Sequence, residues 1–104
     1  ILKATFPMGS MTGAPKKRVM QLIEEYEQTR RGIFSGALGY IDPQGDFDFN
    51  VVIRSIMYNQ KEACLSFQAG SGITHYSDAA AEWEECVLKA AAIINVLESV
   101  SGIY

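Results

Sequence analysis

Apolar residues recur at helical spacing in two stretches of this chain, and between them they alternate with polar ones. Val19, Leu22, Ile23 and Tyr26 lie three and four residues apart, with Glu24, Glu25, Glu27 and Gln28 turned outward. That is the pattern of an amphipathic helix. Pro15 suits its first position, where a missing N–H costs nothing. Gly32, after the basic pair Arg30 and Arg31, suits its end. Residues 9–14, with Gly9 and Gly13 and with Pro15 directly after, read as a loop rather than an element. Residues 33–41, 47–57 and 63–69 read as strands joined by short turns, Asp42-Pro43-Gln44-Gly45-Asp46 and Asn59-Gln60-Lys61, so neighbours are antiparallel. Gly36 and Gly39 in the first strand mark close backbone approach. A last helix starts at a Ser77 or Asp78 cap and runs to about Glu98. Its core stripe, at ~100° per residue, is Trp83, Cys86, Val87, Ala90, Ile94 and Leu97. The predicted order is helix, three-stranded antiparallel sheet, helix: an α+β arrangement within one domain, with no internal repeat or linker.

Charged residues interrupt this apolar framework at particular places. In the second strand Phe47, Phe49, Val51 and Ile53 share one face, which is plainly core, while Asp48, Asn50, Val52, Arg54 and Ile56 share the other. Arg54 has two readings. It is a surface arginine in a salt bridge, or a guanidinium fork for a ligand carboxylate, whose two acceptors match its two donors. On the last helix Glu82, Glu85 and Lys89 fall within about 60° of one another on one flank of the core stripe, with Glu84 pointing elsewhere. Taken alone this is an ordinary Glu85–Lys89 surface pair. The same carboxylates on a rigid helix are also hard oxygen ligands of the kind Mg²⁺ accepts, one or two at a time alongside water and substrate oxygens.

Two glycine-bearing loops remain. Residues 9–17 do not form a phosphate-binding P-loop, because Ala14 and Pro15 stand where Gly and Lys are required. Gly70-Ser71-Gly72 lacks the third glycine of a dinucleotide fingerprint, yet successive backbone N–H groups there can form a nest for a carboxylate. A plain turn between strand and helix is the alternative. Thr12 reads equally well as a helix-start hydroxyl.

Composition narrows the partners. Of 104 residues 48% are hydrophobic and 20% charged, with a net charge of −3. This is an ordinary globular balance without the basic footprint of a nucleic-acid binder. No apolar run approaches the ~20 residues of a membrane helix. Cys64 and Cys86 have neither disulfide-framework nor zinc spacing, and are expected as buried free thiols of a cytoplasmic protein. His75 is expected as a solvated loop histidine.

The segments FPMGSMTGAPKKR (residues 6–18), Ile53-Arg54, AGSGI (69–73) and EWEECVLKA (82–90), in this order and spacing, resemble one family, the chorismate-utilising enzymes. The resemblance spans residues 4–98. GSMTGAPK is nearer the GSITGAPK of the aminodeoxychorismate (para-aminobenzoate) synthase branch than the GTVSGAPK of anthranilate synthases. Phe34 stands where the latter have a tyrosine. Ala79 replaces the usual Pro after Asp78, a cap detail.

The resemblance implies a layered α/β domain of two antiparallel sheets flanked by helices, of which residues 1–104 are the C-terminal part. It implies conversion of chorismate with ammonia to 4-amino-4-deoxychorismate in folate biosynthesis, with Mg²⁺ as cofactor and a glutamine amidotransferase subunit or domain supplying the ammonia. Anthranilate, isochorismate or salicylate synthesis are the alternatives within the family. A non-catalytic fragment with a partial substrate site is the alternative outside it. By the same resemblance Arg54 receives the enolpyruvyl carboxylate. Gly70, Ser71 and Gly72 offer turn amides, Gly72 being the matching position, and Ser10 offers a hydroxyl. Lys89 pairs with the ring carboxylate and belongs with Glu82 to the catalytic set. Glu85 is the metal ligand and Glu82 its companion.

Family members also carry an upstream P-I-x-G-T segment and a further acidic motif, which are absent from these residues. The chain alone is therefore expected to hold half a site and to be inactive. It is also expected to expose apolar surface, notably at Ile33, Phe34, Leu38 and Tyr40, and so either to associate with itself or with another chain or to have a marginal fold when isolated.

Overall fold

Pro7 and Pro15 divide the first part of the chain into short helical pieces. The computed structural model describes residues 1–101. The chain is α+β and divides into two units, Ile1–Ile53 and Arg54–Tyr104. In the first, α1 (Leu2–Thr5) and α2 (Gly9–Thr12) precede α3 (Lys16–Tyr26) and a hairpin of β1 (Ala37–Ile41) and β2 (Phe47–Val51). Residues 9–12, expected as loop, thus form one helical turn. Pro15 is the N-cap of α3, with extended ψ of 128°, one position before the expected place.

The helix α3 stops earlier than its stop glycine suggests. Glu27 is already extended, at φ −73° and ψ 124°, and Arg31 returns to grip its carboxylate with a two-pronged hydrogen bond. Gly32, at φ +59°, opens a tight turn instead, in which Phe34 N–H donates to Arg31 O and Gly36 N–H to Ile33 O, each at 3.0 Å. That turn uses up residues 33–36, so β1 begins only at Ala37.

The hairpin closes as its turn chemistry demands. Asp42 Oδ1 accepts from Gln44 N–H at 3.0 Å and Asp46 N–H at 2.9 Å, and Gly45 takes φ +91°. The register runs from Ala37↔Val51 to Ile41↔Phe47. Gly39 marks the close approach expected of it, for a Cβ there would lie 2.0 Å from Asp48 O and 2.6 Å from Phe49 Cδ1. Gly39→Ala is therefore expected to open this hairpin at a cost of about 1–3 kcal/mol or more, read as lost hydrogen-exchange protection in β1 and β2. Gly70→Ala, where no atom lies within 4 Å, should leave protection unchanged.

The second strand departs from expectation. It breaks after Val51, so there are two two-stranded sheets rather than one of three strands. Val52 is bonded on both sides by the preceding turn, Ser35 N–H to Val52 O at 2.8 Å and Val52 N–H to Gly36 O at 3.0 Å. The chain then turns at Arg54, whose φ is +50°. Period-two alternation ends with the strand. Val52 becomes the buried residue, 7% exposed, while Ile53, expected in the core, is 43% exposed.

The second unit pairs β3 (Ile56–Asn59) with β4 (Cys64–Phe67), antiparallel from Ile56↔Phe67 to Asn59↔Cys64. Asn59 Oδ1 caps the turn by accepting from Lys61 N–H at 3.1 Å and Glu62 N–H at 3.4 Å. A loop then leads to α4 (Ala79–Ser101). Asp78 is its cap, accepting from Ala81 N–H at 3.0 Å. The apolar stripe on α4 is formed but only partly covered, with Trp83 69% exposed and Cys86, Ala90 and Leu97 half-buried. Leu38, Tyr40 and Ile33 are exposed too, with Phe34 half-buried. The thiols depart from expectation in the same way, since Cys64 is exposed and Cys86 intermediate. Burial needs a second apolar layer, and within each unit the described residues supply none over these faces. His75 lies exposed in its loop, edge-on to Tyr76. Among the described residues no helix is long and apolar enough to cross a membrane.

Candidate functional site

The first turns of α4 and the glycine loop before them are tied together by side chains. Lys89 Nζ donates to Gly70 O at 3.0 Å, spanning 19 residues, and pairs with Glu85 Oε1 at 2.5 Å. The Glu85–Lys89 pair on its own is the ordinary surface contact, with side chains half-exposed. Its reach to Gly70 makes it more than that, because one ammonium now joins helix and loop. An ammonium has three donors, so one stays available to a ligand.

One turn earlier, the Glu82 carboxylate accepts hydrogen bonds from the Ser71 and Ser77 side chains. These bonds, Ser71 first, favour the charged form and hold its pKa below the ordinary 4.5, with Lys89 adding to the effect and Asp78 opposing it. Ser77 has a second task, for its Oγ accepts from Thr74 N–H at 2.9 Å and shapes the loop. The favourable part of Glu82's charge is therefore present above about pH 4.5 and lost as pH falls through its lower folded value. In metal-free protein a carboxyl ¹³C titration of Glu82 should give a midpoint below 4.5, and Ser71→Ala should move it upward. A midpoint that ignores Ser71→Ala would show that the loop does not hold this carboxylate.

Arg54 immediately precedes the strand that pairs with β4. Ile56 faces Phe67, so Arg54 just before β3 and Gly70 just after β4 issue from the same open end of one hairpin. Its left-handed backbone at φ +50° is rarely taken by residues other than Gly, Asn or Asp. Among the described residues its exposed guanidinium has no hydrogen-bond or ion-pair partner. Gly70 and Gly72 have room for a Cβ, with nothing within 4 Å, so the fold itself does not demand glycine at either. Ser10 belongs to the first unit, exposed on α2. Thr12, at the end of that turn, bonds back to Met8 O at 3.3 Å and is structural.

Glu82 and Glu85, one turn apart, are oxygen donors of the type and number Mg²⁺ takes from protein. Glu85 Oε1 is on Lys89, which leaves its other oxygen for a cation. Among the described residues no group of three or more His, Cys, Asp or Glu gathers into a metal cluster, so these two would be a partial ligand set.

Ser77 and Arg31 were read from the sequence only as helix-end residues, not as parts of the site. Ser77 gave no signal beyond its capping chemistry. Arg31 had one, its i,i+4 spacing from Glu27.

The model of the family described as chorismate binding enzyme matches residues 1–95. The chain belongs to this family. It is 48% identical over 98 residues to anthranilate synthase component 1 of Aquifex aeolicus, covering 94% of this chain and 19% of that protein. It is 45% identical over 100 residues to a probable chloroplastic aminodeoxychorismate synthase of Oryza sativa subsp. japonica, covering 96% and 11%. Identity to anthranilate synthase component 1 of Arthrobacter globiformis is 42% over 104 residues, 100% of this chain and 19% of that protein. The chain thus spans about a fifth or less of these chorismate-family relatives.

Proposed function

We propose that this chain is the C-terminal part of the chorismate-converting domain of an aminodeoxychorismate synthase component I, joining chorismate and ammonia to give 4-amino-4-deoxychorismate. The single observation that carries the reading is the guanidinium of Arg54, which has no partner among the described residues and stands on a left-handed residue, at the hairpin end from which the glycine loop leaves. A cation held this way is suited to an anionic ligand that brings its own carboxylate.

In this reading Arg54 takes the enolpyruvyl carboxylate through its planar fork. Gly72, Gly70 and Ser71 offer backbone N–H groups to the same anion, and Lys89 turns its third donor to the ring carboxylate. Ser10 contributes a hydroxyl. Glu85 and Glu82 would hold Mg²⁺. When bound, the ion supplies Lewis-acid and templating chemistry at the C4 hydroxyl that must leave. What these residues supply is orientation, which is worth much of a barrier when a nucleophile must meet one face of one carbon. Ammonia would come from a glutamine amidotransferase subunit or domain. The GSMTGAPK wording and Phe34 support the aminodeoxychorismate branch. Anthranilate synthesis is the second reading, favoured by the 48% identity to the Aquifex aeolicus enzyme of that name.

The two differ in carbon balance. Amination at C4 keeps the enolpyruvyl group, whereas anthranilate formation releases pyruvate. Full-length protein with chorismate, Mg²⁺ and ammonium should yield 4-amino-4-deoxychorismate and no pyruvate. Pyruvate in equal amount to anthranilate would establish the second reading. Unchanged chorismate would overturn both.

A further inference from the structure

The residue that offers Ser10 to a ligand stands on very little. Its helix, α2, has four residues, and a single turn does not sustain itself because nucleation fixes several dihedrals for each bond gained. Before it Met8 is extended, and after it Gly13 turns away at φ +104°. Thr12 N–H to Met8 O at 3.1 Å and Gly13 N–H to Gly9 O at 2.7 Å are its own bonds. The carbonyls at the end of such a turn have no partner within it. One of them, Met11 O, directly after Ser10, accepts from Arg31 Nη1 at 3.1 Å across 20 residues.

Three more of the five N–H donors of that guanidinium are used elsewhere. Nε donates to Glu27 Oε2 at 2.8 Å, Nη2 to Glu27 Oε1 at 2.5 Å, and Nη1 also to Ser35 Oγ at 3.3 Å. Glu27 is the residue that ends α3. Ser35 is buried, 6% exposed, at φ +62°, and its N–H holds Val52 O. One planar group therefore ties the α2 turn, the end of α3 and the Ser35 turn. The Glu27 hydrogen bond raises the Arg31 pKa against a smaller opposing effect of burial, so the fork is charged at every working pH. A surface i,i+4 pair would need only the contact with Glu27. The bonds to Met11 O and Ser35 Oγ are the additional ones, and a lysine, with no fork, cannot make all of them from one place.

We propose that Arg31 is a positioning residue. By gripping the Met11 carbonyl it holds the Ser10 turn in place against the end of α3 and the Ser35 turn, and so presents the Ser10 hydroxyl to the ligand. Its effect on chorismate rests on the function proposed above, while its effect on the turn does not.

The test uses the full-length protein in two arms. In hydrogen exchange, Arg31→Lys should speed the Thr12 and Gly13 amides about tenfold or more while the amides of α3 keep their rates. Glu27→Gln, which loosens the fork but leaves Arg31 in place, should do the same to a smaller degree, and it carries this arm if Arg31→Lys does not fold. In steady-state kinetics Arg31→Lys should raise KM for chorismate about fivefold in the wild-type background and less than about twofold in Ser10→Ala, since a residue acting through another shows non-additive effects. Unchanged exchange at Thr12 and Gly13, or the same KM penalty in both backgrounds, would overturn the positioning role. A wild-type protein that leaves chorismate unchanged would overturn the proposed function instead, and the exchange arm would still decide Arg31.

Discussion

Arg54→Gly in the full-length protein is expected to lower kcat/KM for chorismate by about 30- to 5,000-fold while leaving stability unchanged or slightly higher. The loss corresponds to the ~2–5 kcal/mol seen when one partner of a buried, hydrogen-bonded charge pair is removed. The stability expectation comes from the backbone. At φ +50° a side chain costs about 1–2 kcal/mol that glycine does not, and glycine's greater unfolded freedom costs about 0.5–1 kcal/mol in return. The two nearly cancel, with a small balance in glycine's favour. Arg54→Ala should lose the same activity without regaining the strain, so its unfolding midpoint should fall at or below that of Arg54→Gly. Arg54→Lys should recover activity only in part, because a point charge does not reproduce a two-pronged contact. If both Arg54→Gly and Arg54→Ala stay within a few-fold of wild type, the guanidinium has no carboxylate to hold and the site reading fails. Conformational strain at a cation with no partner among the described residues is what distinguishes this position from an ordinary exposed arginine.

Glu85→Gln should raise the Mg²⁺ concentration giving half-maximal rate by about tenfold or more, because a small ion that accepts few protein ligands depends heavily on each. Calorimetric titration of Mg²⁺ into the full-length protein should show the same weakening without reference to turnover. Glu84→Gln, one residue away on another side of α4, should change neither quantity. Stability separates the metal reading from the plain one. As an exposed i,i+4 contact, the Glu85–Lys89 pair contributes only about 0.3–0.5 kcal/mol, so Glu85→Gln should barely move the unfolding midpoint. Lys89 keeps its hold on Gly70 O, and the loop should stay docked. Should Glu85→Gln and Glu84→Gln titrate alike, the run from Glu82 to Lys89 is a charged helix face and nothing more.

Legibility in the sequence followed the range of the interaction. The β1–β2 turn was readable because Asp42 and Gly45 act on neighbours within four residues. The same holds for the Asn59 turn and the Asp78 cap. The long α4 announced itself by its apolar stripe. The segments around Ser10, Arg54, Gly72 and Glu85 were enough to name the family, because motif spacing is a one-dimensional property and the family model bears it out over residues 1–95.

Where the strand after Phe47 ends was not readable. Its alternation continues through Ile53 and Arg54, but Ser35 and Gly36 capture the backbone of Val52, and no periodicity reports a bond formed from 16 or 17 residues away. The early end of α3 has a similar cause. Arg30, Arg31 and Gly32 are sound helix-ending chemistry, yet Arg31 meets Glu27, Met11 and Ser35 at once. Three such partners satisfy the guanidinium better than the open end of a helix.

Chain chemistry alone therefore determined the turns, the caps, the amphipathic helices and the family, all of them set by residues close in sequence or by their order. Tertiary structure decided that Val52 rather than Ile53 is buried, and that Arg54 sits in left-handed backbone with no partner among the described residues. It also decided that Lys89 and Glu82 reach the loop at Gly70 and Ser71. The burial of Val52 and the ties from α4 to the loop depend on hydrogen bonds between groups 11 to 19 residues apart, whose cost in chain entropy is met only when the intervening segments have already folded.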